Sequence, residues 1–372
     1  MAVRKRPLPP ILPETVKPEM DYAICYLGDV YAGMPGVARG TVKYLRISER
    51  VNWVFDKSPR GELRWVPSNP FSPQFGYWTW SPIRVVGTVP VAEDGSAAFK
   101  VPAEMAVYFQ ALDENVMEVR RMRSHVAFQR GEVRSCVGCH EANANTSPTY
   151  WDGTLAARQE PAMPTPPTWG DCQVMDYEKM VQPILDRHCI RCHSGKEPKA
   201  GRDYSSARDL YGFAQSYRTM FGLRPGEPVP VSNGDGWYSR YFPGHEPVDG
   251  KDWYKLVLTG QAPGQLVTVS DRTSMGVDAS ISQPGQFGSR ASKLTLTLLG
   301  ENHKKRVNLS RDEWLTLVTW VDLNAPYSAT FFQKFADNGT PLKTLRRVPI
   351  ELPPPWKRPT QTASATAAKA GH

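Results

Sequence analysis

Between Asp21 and about Arg130 the chain is a succession of short apolar runs closed by glycine, proline or Asp-Gly pairs. The runs are Tyr22–Leu27, Gly40–Ile47, Ile83–Val91, Ala97–Val101 and Ala106–Leu112, and several alternate apolar with polar positions. A period of two places successive side chains on opposite faces of a strand, so the pattern predicts strands with one buried face. Tight turns between them, such as Asp94-Gly95, favour antiparallel neighbours. The expectation is a small antiparallel β domain, a sandwich or partial barrel.

Further on the period lengthens. Tyr177, Met180, Val181, Ile184 and Leu185 fall at i, i+3, i+4, i+7 and i+8, which predicts a helix over Asp176–Arg187 with Pro183 as an internal blemish. Ser310 followed by Glu313 reads as a capping box, and Trp314, Leu317, Val318 and Val321 form the apolar stripe of the helix it opens. From about Gly195 to Ser289 there is little period and much glycine and proline. The fold class expected is therefore α+β, in five segments. Residues 1–20 are an extended proline-rich lead-in and 21–145 the β-rich domain. Residues 146–171 are a Pro/Thr-rich connector, 172–330 a mainly α-helical, loop-rich domain, and 331–372 an extended tail that is disordered at its low-complexity end.

Composition narrows the function classes. The 372 residues suffice for two cored domains, and 40% hydrophobic with 22% charged residues fits a globular chain. No apolar run approaches the roughly 20 residues of a membrane span, so the chain is not expected to cross a bilayer. The basic, proline-rich N-terminus lacks the apolar stretch and small-residue cleavage site of a secretory signal. The chain then starts inside a longer precursor, or its export information lies elsewhere. A net charge of +8, from 45 basic and 37 acidic residues, is interspersed and makes no claim on nucleic acid. It favours an acidic redox partner. Thirty-four prolines and 29 glycines point to many turns and ordered loops wrapped around something, as in folds that use a cofactor as part of the core.

Four of the six cysteines stand in two pentapeptides, Cys136-Val137-Gly138-Cys139-His140 and Cys189-Ile190-Arg191-Cys192-His193. Two thiols three positions apart can add across the two vinyl groups of one haem, and the adjacent imidazole is then held under the iron. The expected cofactors are two haem c groups. Cys136 and Cys139 attach the first with His140 on the iron, and Cys189 and Cys192 attach the second with His193 on the iron. A structural zinc site built from both Cys-x-x-Cys pairs is the main rival; the pairs lie farther apart than in compact zinc ribbons, and zinc has no need of a histidine after each. A thioredoxin-type redox pair is the third reading, weakened because neither motif sits at a strand-to-helix turn of a βαβ unit. Haem attachment in bacteria takes place outside the cytoplasmic membrane, so the expected location is periplasmic or extracytoplasmic. There Cys25 and Cys172 either pair or remain buried thiols.

For the second haem the distal ligand expected is His303, just before the last helix; its competing reading is a polar loop residue beside Lys304 and Lys305. His245, Met220 and Met275 are the alternatives. A histidine would hold the potential below that given by methionine. Around the first motif His125 reads as a strand or surface residue, and Tyr150 and Trp151 as packing groups. An iron left open there would make the protein an enzyme candidate, a haem-dependent oxidoreductase.

Several longer runs bear a resemblance. Gly87–Ala103, Met122-Arg123-Ser124, Gly131–Glu141, Asp29-Val30-Tyr31 and Gly40-Thr41-Val42-Lys43 resemble the middle domain of the hydrazine synthase alpha subunit-like family. Val181–Asp186, Cys192-His193, Ser289–Leu294 and Trp320–Asn324 are similar to the cytochrome c domain that follows it. The resemblance implies a β-rich domain with one haem c, a helical cytochrome domain with another, and His303 as distal ligand. Members commonly carry an N-terminal β-propeller that this chain lacks, which agrees with a truncated or split product. In hydrazine synthase a tyrosine four residues after the first motif histidine binds the iron and frees that histidine for zinc. Here that position is Ala144, so the arrangement is not carried over, His140 is expected as an ordinary proximal ligand, and hydrazine formation is not implied. The function expected is an extracytoplasmic dihaem c-type cytochrome in electron transfer. Its first haem is a further relay or an open centre acting on a small nitrogen or oxygen compound. The alternative is a haem-bearing structural or docking subunit of a larger redox complex; a redox partner protein or other subunits are the expected partners.

Overall fold

The computed structural model describes residues 16–51, 56–57, 63–64, 83–122, 124–139, 153–170, 173–208, 214–222, 264–269, 283–327, 331–335, 341–348 and 354–359. The N-terminal part holds β1 (Tyr22–Leu27), β2 (Tyr44–Arg50), β3 (Asp56–Lys57), β4 (Leu63–Arg64), β5 (Ile83–Pro90), β6 (Ala97–Pro102), β7 (Val107–Leu112), β8 (Glu118–Arg121) and β9 (Val133–Cys136). β5-β2-β7-β8 make a four-stranded sheet, antiparallel throughout. β6-β1-β9 make a three-stranded sheet, in which β6 is antiparallel to β1 but β9 runs parallel to it. The three-stranded sheet is therefore mixed, a correction to the purely antiparallel domain expected. The chain passes through the whole of the other sheet before β9 returns, so no hairpin forces it to run antiparallel.

The two sheets share one core. Along β1 the alternation places Ala23, Cys25 and Leu27 inward, where they meet Phe99 and Val101 of β6, Leu45 and Ile47 of β2, and Val107 and Ala111 of β7. Phe99 and Phe109 pack edge to face with centroids 5.4 Å apart. The opposite face of the four-stranded sheet, which period-two reasoning assigns to water, is buried as well. Val85 and Tyr108 enter a second core there, and Arg46, Gln110, Glu118 and Arg121 are buried beside them.

That second core belongs to the helical part. A π-helical turn at Tyr177–Val181, capped by Asp176, leads into α1 (Gln182–His188). The helical turns thus run without a break from Tyr177 to His188, with Pro183 inside them as expected, and the missing N–H of Pro183 follows directly on the wider π-helical turn. There follow α2 (Gln215–Met220), α3 (Lys293–Leu299), α4 (Glu301–Lys304) and α5 (Arg311–Asp322). Tyr177 packs against Tyr217 at 5.0 Å and Trp320 at 5.1 Å between ring centroids, with Val181, Leu185, Phe221, Leu317 and Val321 around them. At the start of α5 the capping box is complete: Ser310 Oγ accepts from the Glu313 N–H at 3.2 Å and Glu313 Oε2 accepts from the Ser310 N–H at 2.8 Å.

The C-terminal segment differs from the extended tail expected. β10 (Phe331–Phe335) and β11 (Pro341–Val348) pair antiparallel. Beyond them Trp356 returns to the sandwich core, its indole N–H donating to the Asp21 carbonyl at 3.1 Å. Among the described residues no helix is long and apolar enough to cross a membrane.

Candidate functional site

The second pentapeptide begins where α1 ends. The Cys189 and His193 N–H groups continue the helical pattern onto the Leu185 and Cys189 carbonyls at 2.8 and 3.0 Å. Cys189, Cys192 and His193 therefore follow one another around a single turn. The chain beyond folds back on this turn, with the Tyr204 N–H donating to the His193 carbonyl at 2.7 Å and the Lys199 N–H to the Cys192 carbonyl at 3.0 Å. The return places the Lys199 carbonyl 3.0 Å from His193 Nδ1. A carbonyl only accepts, so Nδ1 carries the ring proton and Nε2 keeps its lone pair.

These residues line one cleft, about 1110 Å³ in volume when the open solvent at its mouth is included. Its apolar lining comes from Leu185 of α1, Leu266, Leu294 and Leu298 of α3, Leu309, and Leu317 of α5. α4 brings His303 to the same cleft. The cleft thus gathers Cys189, Cys192, His193 and His303, the last separated from the motif by more than a hundred residues of chain. Met220, an alternative axial ligand, is instead fully buried in the helical core and does not line the cleft. His125 is exposed. His245 and Met275 lie outside the described residues.

Electrostatics fit the same use. Burial pushes the Cys189 thiol up to about 11, and the neighbouring Cys192 adds to it. A thiol held neutral at pH 7 does not suit a thiolate-based redox pair, which depends on a depressed value. Burial also lowers His193, and the charges of His303 and Arg202 act in the same direction against its hydrogen bond to Lys199. The imidazole is therefore the neutral, ligating form. Arg191, Lys199, Arg202 and Arg306 line the cleft, and among the described residues no carboxylate does. Two thiols three apart, an imidazole with a free Nε2, a second imidazole, an apolar lining and unopposed cations suited to two propionates are together the donor set a haem requires. The residues present fit that group.

The motif's orientation is fixed from outside the cleft. Glu313, in the first turn of α5, pairs with Arg187 and lies 3.1 Å from His188 Nε2, the last two residues of α1 before Cys189. Burial opposes the Glu313 charge, but hydrogen bonds from Ser310 and His188 outweigh it and hold the carboxyl at about 2. Helix α5 thereby grips the turn that bears the thiols. The capping box was visible in sequence; this second use of Glu313 was not, because it spans about 125 residues.

At the first pentapeptide β9 ends in Cys136, and the next residues bend over the loop after β1. The Gly28 and Asp29 N–H groups donate to the Cys136 and Val137 carbonyls at 2.9 and 3.1 Å. Gly138 packs so closely that a Cβ there would lie 2.4 Å from the Ala32 carbonyl oxygen. Cys136 and Cys139 are half-buried on the edge of the sandwich core. Burial pushes Cys139 up to about 11, opposed by the Arg120 guanidinium and aided by Glu118. His140, with Ala144, Tyr150, Trp151 and Cys172, lies outside the described residues, and Cys25 is buried in the sandwich core. Among the described residues, which include both Cys-x-x-Cys pairs, no three His, Cys, Asp or Glu side chains gather as a metal ion would need.

Residues 40–141 match the family model described as the hydrazine synthase alpha subunit middle domain. This stretch runs from the approach to β2 through Cys136 and Cys139, so the likeness to the hydrazine synthase alpha subunit-like family holds for the β-rich part and its pentapeptide. Among solved structures the chain is similar to Kuenenia stuttgartiensis hydrazine synthase, with 14% identity and a TM-score of 0.49 over 83% of this chain. It spans 43% of that chain's length. A comparison with curated proteins returns no match.

Proposed function

We propose that this protein is an extracytoplasmic dihaem c-type cytochrome that transfers electrons, as a redox subunit of the hydrazine synthase alpha-like kind. The observation that carries the reading is the convergence of Cys189, Cys192, His193 and His303 on one apolar cleft. Cys189 and Cys192 would hold the group covalently, and His193 and His303 would bind it from the protein through their ring nitrogens. Bound there, a haem supplies a one-electron iron couple. The Lys199 carbonyl fixes the His193 ring and its tautomer. The leucine walls exclude water, and the cations of the cleft neutralise propionates. Two histidines favour a low potential and leave no open position for a substrate, which suits a carrier. At the first motif the reading rests on the pentapeptide and the family match; Cys136 and Cys139 would attach the group and His140 would bind its iron.

The test is expression in a host with haem c maturation machinery, followed by pyridine haemochrome and EPR spectra. Two covalent haems per chain are expected, the second of them low-spin and inert to carbon monoxide. His303→Ala should convert that haem to a high-spin, gas-binding form. A chain that matures without covalent haem, or a second haem indifferent to His303→Ala, sinks the reading.

A further inference from the structure

The face beside the cleft mouth carries side chains that neither the core nor the cleft uses. Among the described residues four large hydrophobic side chains are more than a third exposed, and two of them, Leu296 at 52% and Leu299 at 39%, stand on α3. They are three positions apart and so share one side of the helix. Leu294 and Leu298 of the same helix turn into the cleft. A single exposed leucine is ordinary. Two together on a seven-residue helix, backed by the cleft wall, form a small dry patch at its edge.

The charge around the patch is predominantly positive. Lys293, Lys304, Lys305 and Arg306 are exposed on α3, α4 and the turn after them. In the stretch 293–306 the one carboxylate is Glu301, 3.9 Å from Lys305 Nζ. The cleft lining adds three more cations, Arg191, Lys199 and Arg202, and among the described residues no acid. This concentrates positive charge where the lysines and arginines of the whole chain are otherwise interspersed with acids. A second copy of the chain would meet this face with like charge, which disfavours self-association through it.

We propose that this face is the docking surface for an acidic electron-carrier protein, with Leu296 and Leu299 as its dry centre and the surrounding lysines as its steering rim. The proposal rests on the reading of the cleft as a haem site. The leucines exclude water at short range, whereas the lysines act over the screening length and raise the encounter rate. One electron then passes from the carrier to the ferric iron, and no atom is transferred.

The experiment uses the haem-loaded chain and reduced flavodoxin, a strongly acidic flavin carrier, in stopped flow. One electron leaves the reduced flavin, which becomes the semiquinone, and the iron becomes ferrous. The second-order rate constant is expected to fall as salt rises. Lys293→Glu with Lys305→Glu should lower it by about tenfold at low salt, the difference closing at high salt. Leu296→Ser with Leu299→Ser should lower it several-fold at every ionic strength, because apolar contact is not screened. Unchanged rates in both variants, or a rate independent of salt, overturn the proposal. Carbodiimide cross-linking supplies a readout that needs no haem: flavodoxin carboxylates should join to Lys293, Lys304 and Lys305 in preference to other lysines. Absent or evenly spread cross-links overturn the docking surface, whereas a missing haemochrome signal overturns the haem reading on which it rests.

Discussion

Asp322→Asn should destabilise the protein by about 3 kcal/mol, and the network around Asp322 supplies the reason. Asp322 is fully buried at the end of α5, and Arg46, 1% exposed, reaches it from β2 with Nη1 3.0 Å from Oδ2. The Ser289 N–H donates to Asp322 Oδ1 at 2.7 Å. Gln110 joins in from β7, its amide N–H groups donating to the Asp322 carbonyl at 3.0 Å and to Glu118 Oε2 at 2.5 Å. Arg121 completes the set, with Nε 2.6 Å from Glu118 Oε1. Two guanidiniums and two carboxylates thus face one another in a buried space. Asparagine keeps the shape but removes one charge and turns an amide donor toward a donor. Arg46 is left with the Gln110 Oε1 and Val116 carbonyl contacts, both at 3.3 Å. Breaking a buried pair from one side costs about 3–5 kcal/mol. The lower end applies because the Asp322 charge raises Glu118, so its removal lets Glu118 ionise more readily and answer part of the Arg46 charge.

Urea denaturation followed by tryptophan fluorescence measures the loss against a total on the order of 5–15 kcal/mol. Replacing both partners, Arg46→Met with Asp322→Leu, should restore most of the stability, since no uncompensated charge then remains. If Asp322→Asn loses less than about 1 kcal/mol, or if the double variant is worse than the single, the network does not hold the sheet to α5 as described.

Burial raises Glu118 to about 7, with Arg121 opposing and Asp322 adding to the rise. A raised carboxyl binds its proton more tightly in the folded state, so this stability is fully present below about pH 4.5 and is lost as pH rises through about 7. Thermal melts should therefore show a component falling across that window, and Glu118→Gln should flatten it. Glu313 has the opposite sign: held at about 2, it contributes above about pH 4.5 and loses its contribution as pH falls toward 2. Glu313→Gln should cost about 1–2 kcal/mol at pH 7, and the difference from the unmodified chain should vanish at the acid end of a pH series of melts. Gly138→Ala, which puts a methyl group 2.4 Å from the Ala32 carbonyl oxygen and 2.5 Å from its Cβ, should cost about 1–3 kcal/mol. It should also lower haem incorporation at the first pentapeptide while leaving the second intact, as read by haem-peptide mass spectrometry.

Much of this architecture is visible in the sequence wherever a local rule applies. The capping box at Ser310 and Glu313 and strands β1, β2, β5, β6 and β7 follow from periodicity and turn chemistry that involve a few neighbouring residues. The polar face of β2, β7 and β8 does not. Alternation states that Arg46, Gln110 and Arg121 share a face, but cannot state that Asp322, more than two hundred residues on, covers that face with matching charge. Strand β9 was hidden for a related reason: Val-Arg-Ser-Cys is only four residues long, and its pairing comes from β1, over a hundred residues earlier. At the site, the two pentapeptides are legible as motifs, and the proposed chemistry starts from them. His303 is recognisable as a candidate only by type and position, and its presence in the cleft depends on α3 and α4 turning back over α1.

Helix α5 joins these observations into one mechanical statement. Its first turn holds Arg187 and His188 through Glu313, immediately before Cys189. Its last residue, Asp322, is locked to Arg46 and Ser289 beside β8, and Glu118 and Arg120 of β8 act electrostatically on Cys139. Twelve helical residues span about 18 Å. The first turn of α5 is therefore tied to the end of α1 that leads into Cys189, and its last residue to the four-stranded sheet, each through charged groups whose removal is costly. The buried network is then worth its desolvation cost for the geometry it fixes, since a hydrophobic contact of equal area would permit the helix to slide against the sheet.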